Sequence, residues 1–193
     1  MFKNNKFLII KRLTSVFFVL FLIFSIISCQ RNAEAAEDDL PQEEFSMIRL
    51  EITDTENPAT SSFYAYYVGT AAAPVIPLTD GKSYEVTVTF WNGNDDVTQS
   101  IKDAKNEHFI IFDFPKSTIN LTREDGEDST GNLGKIGLKT KWDVVKVIDS
   151  QSPLLKLTLI HEPVSTDENQ NGTSWGSAVG GETDAEATFT LSN

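Results

Sequence analysis

Cysteine is nearly missing from this chain: one residue, Cys29, stands among 193. A lone thiol cannot close an internal disulfide, so no disulfide framework holds the fold. Histidine is almost as scarce, with only His108 and His161, which confines imidazole chemistry to two positions. No phosphate-cradling glycine loop occurs, and with it goes the most legible nucleotide site. No enzymatic activity is expected. Positive charge is short as well, with 16 Lys plus Arg against 28 Asp plus Glu. So acidic a chain repels phosphate backbones, which leaves nucleic acid out as a partner.

What is present starts at the amino terminus. Lys3, Lys6, Lys11 and Arg12 precede a mostly apolar run from Leu13 to Ile27, the proportions of an export signal. The run is shorter than the roughly 20 apolar residues that span a bilayer core. Its end, "IISC" (Ile26, Ile27, Ser28, Cys29), resembles the bacterial lipobox, whose cysteine is lipidated and becomes the first residue of the mature protein. Residues 1–28 are therefore expected to be a lipoprotein signal peptide and Cys29 the lipidation site. Two or more acyl chains hold a protein stably on a membrane. Losing residues 1–28 removes four basic and no acidic residues, leaving a formal charge near −16. Residues 29–44, including "QRNAEAAEDDLPQEE", are too polar to bury a core and read as an acidic flexible tether with a reach of about 20 Å. The expected location is the outer membrane, lipid-anchored, at its periplasmic face or on the cell surface.

Residues 45–193 form the folded domain, and their dominant period is two. Ile48, Leu50 and Ile52 alternate with Arg49, Glu51 and Thr53; Tyr84, Val86, Val88 and Phe90 with Glu85, Thr87, Thr89 and Trp91. Ile136, Leu138, Thr140 and Trp142 form one face of a further strand, and Ala185, Ala187, Phe189 and Leu191 one face of the last. Less regular runs at 61–68, 107–114, 117–122 and 154–162 complete the set. "VTQSIKDAK" is the one helical segment, with Thr98 as its cap. The fold class is all-β: an antiparallel β-sandwich, immunoglobulin-like, of about eight strands with one short helix.

"LTDGKSYEVTVTF", "DAKNEHFIIFDF", "STGNLGKIGLKTKW", "LTLIHEP" and "GGETDAEATFTL", in this order behind a lipobox, resemble a family of small flavobacterial (Bacteroidota) lipoproteins. These are often encoded beside TonB-dependent receptors and are sometimes named type 1 periplasmic-binding-fold proteins. That fold alternates strands with many helices and needs about twice this length, so the sandwich remains the expectation here. The resemblance implies a membrane-tethered binding or accessory protein with a TonB-dependent receptor as partner. It supplies no catalytic residues.

Four groups of residues carry candidate chemistry. His108 shares strand parity with Ile110, Phe112 and Phe114, and His161 with Leu155, Leu157 and Leu159. If the two strands run antiparallel, both imidazoles fall at one end of the sandwich and make a zinc or other transition-metal site. Glu107 and Glu162, adjacent on their strands, are expected to point away from it. "DENQNG" places Asp167, Asn169 and Asn171 at positions 1, 3 and 5 of a calcium loop, but Ala178 stands where the twelfth-position glutamate belongs; Glu182 and Asp184 offer a different oxygen cage. "REDGEDSTGN" (Glu124, Asp125, Glu127, Asp128, Asn132) offers calcium similar ligands at a hairpin tip. Zinc or calcium is thus the cofactor the residues admit. Finally, Tyr64 and Tyr66, with Trp91 and Trp175 as partners, read as a stacking platform for a sugar, haem or hydrophobic ligand.

The function that follows is a lipid-anchored cell-envelope binding or accessory protein capturing a small ligand or metal ion for an outer-membrane receptor. The rival is a structural or protein-interaction lipoprotein with no small ligand. Cys29→Ser is expected to abolish incorporation of labelled fatty acid in the native host, and unchanged labelling would overturn the anchor.

Overall fold

Alternation of apolar and polar side chains sets the architecture. The computed structural model describes residues 45–70, 72–148 and 154–193; the signal segment, Cys29 and the acidic tether lie outside the described residues. Among the described residues no helix is long and apolar enough to cross a membrane.

One sheet contains β1 (Met47–Asp54), β2 (Ser61–Tyr67), β4 (Ser83–Asn92), β5 (Asp95–Asp96), β7 (Thr118–Arg123) and β10 (Lys139–Lys146), in the order β2-β1-β4-β10-β7 with β5 alongside β4. The other contains β3 (Val75–Pro77), β6 (His108–Asp113), β11 (Leu155–His161), β12 (Ser165–Asn171), β13 (Ser174–Val179) and β14 (Glu182–Ser192), in the order β12-β13-β6-β11-β14-β3. A short ribbon pairs β8 (Thr130–Gly131) with β9 (Gly134–Lys135). The two large sheets pack face to face as a mostly β structure rather than a barrel.

The expected strand count was too low: fourteen strands occur among the described residues. β12 is polar on both faces and β13, with Trp175, Ala178 and Val179 among serines and a glycine, shows no clean alternation, while β3, β5, β8 and β9 are only two or three residues long, too short to show a period. Nor is the pairing wholly antiparallel, because β3 runs parallel to β14. β3 ends on Pro77 at the sheet edge, where a missing N–H costs no ladder bond. The helix is α1 (Thr98–Asp103), but Thr98 does not cap it; Val97 holds the N-cap without a side-chain bond. Thr98 Oγ1 instead accepts the Phe90 N–H at 2.9 Å, fastening α1 to β4.

The core lies between the sheets. Ile48 and Leu50, Val86 to Phe90 on alternate positions, and Trp142 face Ile110, Phe112, Leu157, Leu159 and Phe189, all buried. Trp142 is edge-on to Phe112 and Phe114 at centroid separations of 6.3 and 5.3 Å. Its indole N–H donates to Thr140 Oγ1 at 2.9 Å, so the two buried polar groups satisfy each other.

One charged side chain crosses from sheet to sheet. Arg123, at the end of β7, is buried and donates from Nη1 to Ile136 O at 2.8 Å and from Nη2 to Ile110 O, on β6, at 2.5 Å. Its guanidinium carbon lies 4.2 Å from the Phe109 ring centre. Burial pushes its pKa down to about 10, while the nearby Asp125 and Glu168 charges raise it, so the group is cationic at neutral pH. Gly137 and Gly176 have φ of +100° and +92°, and a Cβ at either would collide with the guanidinium. Replacing Arg123 by Met leaves the buried Ile110 and Ile136 carbonyls without these donors and should lower stability by about 3 kcal/mol, at about 1 to 3 kcal/mol for each acceptor that loses a donor. Lys, which cannot form the fork, should recover less than half of this. Urea unfolding at unchanged m-value checks both.

Candidate functional site

β6 begins with His108 and β11 ends with His161, and the antiparallel register sets the two residues directly opposite. Both side chains therefore leave the same face at the same end of the sandwich. Their rings stack, with centroids 5.0 Å apart and planes inclined by 13°. His108 is 5 % exposed, and its Nδ1 lies 3.1 Å from Ala104 O, the residue that ends α1. Ile101, fully buried, anchors that helix and hence the carbonyl.

A third group completes the arrangement. Along β11 and β14 the partners step from Leu159↔Ala185 to Ile160↔Thr183, so Asp184 is the extra residue of a β-bulge. Bulges re-aim side chains. Asp184 Oδ2 lies 3.3 Å from His108 Nε2 and Oδ1 lies 3.7 Å from His161 Nδ1. The Asp184 side chain is 3 % exposed, and its Oδ1 is buried without a hydrogen-bond partner among the described residues.

The two neighbouring glutamates also join, contrary to strand parity. Glu107 precedes β6 and brings Oε2 to 3.8 Å from His161 Nε2. Glu162 follows β11 with φ of +49°, a left-handed turn conformation that breaks the alternation, and its N–H donates to Glu107 O at 2.6 Å. One donor atom from each of Glu107, His161 and Glu162 lies within 4.8 Å of the others. Gly181 makes the turn possible: φ there is +80°, and a Cβ would strike the His161 carbonyl and Pro163 nitrogen.

The other candidates do not come together. Asp167 Oδ1 accepts from the Asn169 N–H and from Asn169 Nδ2 at 2.9 and 2.8 Å, and Asp167, Asn169 and Asn171 run along β12 instead of wrapping a loop. Asp184, which would have closed that oxygen cage, serves the histidines. In the acidic loop, Asp125 is buried and accepts the Gly137 and Leu138 N–H groups at 3.0 and 2.8 Å. Desolvation raises its pKa against the lowering pull of those amides. Asp128 pairs with Lys102 at 2.7 Å. Asp125 is thus turned inward to hold the loop's backbone, while Glu124, Glu127, Asp128 and Asn132 stay exposed.

Tyr64 and Tyr66 turn toward the core, with the Tyr66 ring 6.2 Å from Phe189. Trp91 lies on the opposite face of that sheet, where the Arg49 guanidinium sits 4.4 Å from its ring centre and 5.2 Å from Phe63. Trp175 belongs to the other sheet and donates its indole N–H to Ile119 O at 2.8 Å. Strand alternation and separate sheets keep the four apart. An open depression of about 410 Å³ between α1 and the 3-10 turn Glu127–Ser129 is lined by Lys102 and Asp128, which are already paired with each other.

Asp184 is the residue that sequence reasoning missed at this site. Its parity groups it with Glu186 on the wet face, and nothing in "GETDAEATF" marks the bulge. Comparison of the chain with protein-family models, curated proteins and solved structures finds no match. The assignment therefore stands on geometry. Holding a glutamate in the left-handed region costs about 1 kcal/mol, so Glu162→Gly should stabilise the domain by up to that amount in urea unfolding, while deleting one of the site's carboxylates.

Proposed function

We propose that this chain is a lipid-anchored cell-envelope protein, built on an immunoglobulin-like sandwich, that captures a divalent metal ion at its histidine end for an outer-membrane receptor. The anchor rests on the lipobox resemblance and the receptor on the resemblance to lipoproteins encoded beside TonB-dependent receptors. The sandwich reading is supported by two packed, mostly antiparallel sheets enclosing Trp142. The observation that carries the binding reading is the buried Asp184 Oδ1, which lacks a hydrogen-bond partner among the described residues and lies 3.7 Å from His161, the imidazole that two further carboxylates approach. Buried acceptors without partners are rare, and each calls for an ion, a water or a function.

The rival, a protein-interaction lipoprotein with no small ligand, draws on Val164 and Val179. They are 79 % and 65 % exposed and joined by a backbone bond at 2.8 Å close to the same end. Metal analysis of the lipidated chain in detergent separates the two. After removal of metal and re-exposure to zinc, one equivalent should be retained. At about 100 times the dissociation constant the melting temperature should rise by roughly 5 to 10 °C. Neither retention nor a shift at millimolar zinc, cobalt or nickel overturns the metal reading in favour of the rival.

A further inference from the structure

Resting on the reading that the histidine end is the binding end, we infer that its ion is of the zinc class and that the two histidines have different tasks. The geometry assigns His161 Nε2, Glu107 and Glu162 as the ligands, Asp184 as the group that orients His161, and His108 as a support that does not touch the ion.

The ring nitrogens decide this. His161 Nε2 faces Glu107 Oε2 at 3.8 Å, while Nδ1 faces Asp184 Oδ1 at 3.7 Å. The tautomer that donates Nδ1–H to Asp184 leaves the Nε2 lone pair directed at the glutamates. A carboxylate behind a ligating imidazole is the usual companion of a bound metal, because it fixes the ring and makes its free nitrogen a better donor. Asp184 Oδ1, buried and without a hydrogen-bond partner, is placed for that role. Both His108 nitrogens face protein oxygens, Nδ1 at 3.1 Å from Ala104 O and Nε2 at 3.3 Å from Asp184 Oδ2, and neither joins the cluster of Glu107, His161 and Glu162. The expectation that both imidazoles bind the ion is therefore revised.

The distances fit a small ion. Two donors about 2.1 Å from a tetrahedral zinc lie about 3.4 Å apart, so the 3.8 Å between His161 and Glu107 closes by a few tenths of an ångström and Glu162, within 4.8 Å of the other two, swings in by about 1 Å, which its exposed side chain allows. Calcium takes six to eight oxygens, which one imidazole and two carboxylates do not supply, whereas a mixed nitrogen and oxygen set suits zinc and its neighbours. Three protein ligands leave a coordination position open. Glu162 is exposed, and Glu107 and His161 are partly so. The ion can therefore be reached and surrendered from outside, as a capture protein requires.

Titration of the metal-free lipidated chain in detergent with cobalt(II), followed by zinc competition and a parallel calcium titration, tests this. The native chain should develop the visible bands of four-coordinate cobalt and bind calcium at least about 100-fold more weakly than zinc. His161→Gln should abolish the bands, and Glu107→Gln or Glu162→Gln should cost more than about 100-fold in zinc affinity. Asp184→Asn should cost about 10- to 100-fold, the range for a group behind a ligand, while keeping the bands. His108→Gln should also keep them. Glu107 and Glu162 lie at the surface, so their variants fold and carry the test even where Asp184→Asn does not. Zinc binding untouched by His161→Gln, cobalt bands lost with His108→Gln, or calcium binding equal to zinc would each overturn the ligand set while leaving metal capture standing. A native chain that binds none of these ions overturns both readings.

Discussion

The arrangement depends on a cation held away from water. Arg123 reaches from one sheet to the other and directs its donors at main-chain carbonyls, Ile110 O and Ile136 O, not at a carboxylate. A guanidinium so enclosed, whose Nε already lacks a partner among the described residues, tolerates little slippage, because each further lost bond strands another buried donor. The fork thus fixes β7 against β6 and draws in the segment that leads to β10. It also dictates sequence nearby, since Gly137 and Gly176 must lack side chains where the guanidinium passes. Ile110 lies two residues along β6 from His108, so the bond that joins the sheets also fixes the strand on which the candidate site begins.

From that fixed strand the histidine end follows through three local departures from regular β-structure. The β14 bulge turns Asp184 beneath the imidazoles, the left-handed Glu162 folds its carboxylate back toward Glu107, and Gly181 lets β14 start against the His161 carbonyl. Each is unfavourable or neutral for the isolated chain, and strain of this kind persists where surrounding structure imposes it. Their coincidence at one sheet end is more informative than any one of them.

The regular strands were legible in the sequence because one wet face and one buried face leave a period of two. Ile48, Leu50 and Ile52, or Ala185 to Leu191 on alternate positions, are buried as that period requires. The same rule put His108 and His161 at one end. It failed wherever pairing, not patterning, decides the conformation. β12 and β13 have no apolar stripe, and their partners hold them through backbone bonds. Arg123 sits in an acidic stretch that reads as solvated, and only the three-dimensional neighbours Phe109 and Ile110 reveal it as core. Asp184 is harder still, because a one-residue bulge inverts parity without any compositional trace. The aromatic platform failed for the opposite reason: alternation was correct, but it sends Tyr66 and Trp91 to opposite faces of their sheet.

Charge explains why the end of the molecule richest in chemistry is also its least self-sufficient part. Glu107, Glu162 and Asp184 crowd two imidazoles, with Glu182 paired opposite His161 in the ladder, while the cations of the fold are engaged elsewhere: Arg123 in the core, Lys102 with Asp128 and Lys82 with Asp54. Carboxylates held this close repel one another unless a positive charge lies between them. A divalent ion would supply that charge where no lysine or arginine among the described residues pairs with Glu107, Glu162 or Asp184, and would convert mutual repulsion into coordination. In a chain this acidic the long-range field already favours the approach of cations. On the proposed ligand set, the short-range arrangement at His161 would then determine which of them could stay, because an imidazole nitrogen among carboxylates discriminates against ions that accept only oxygen.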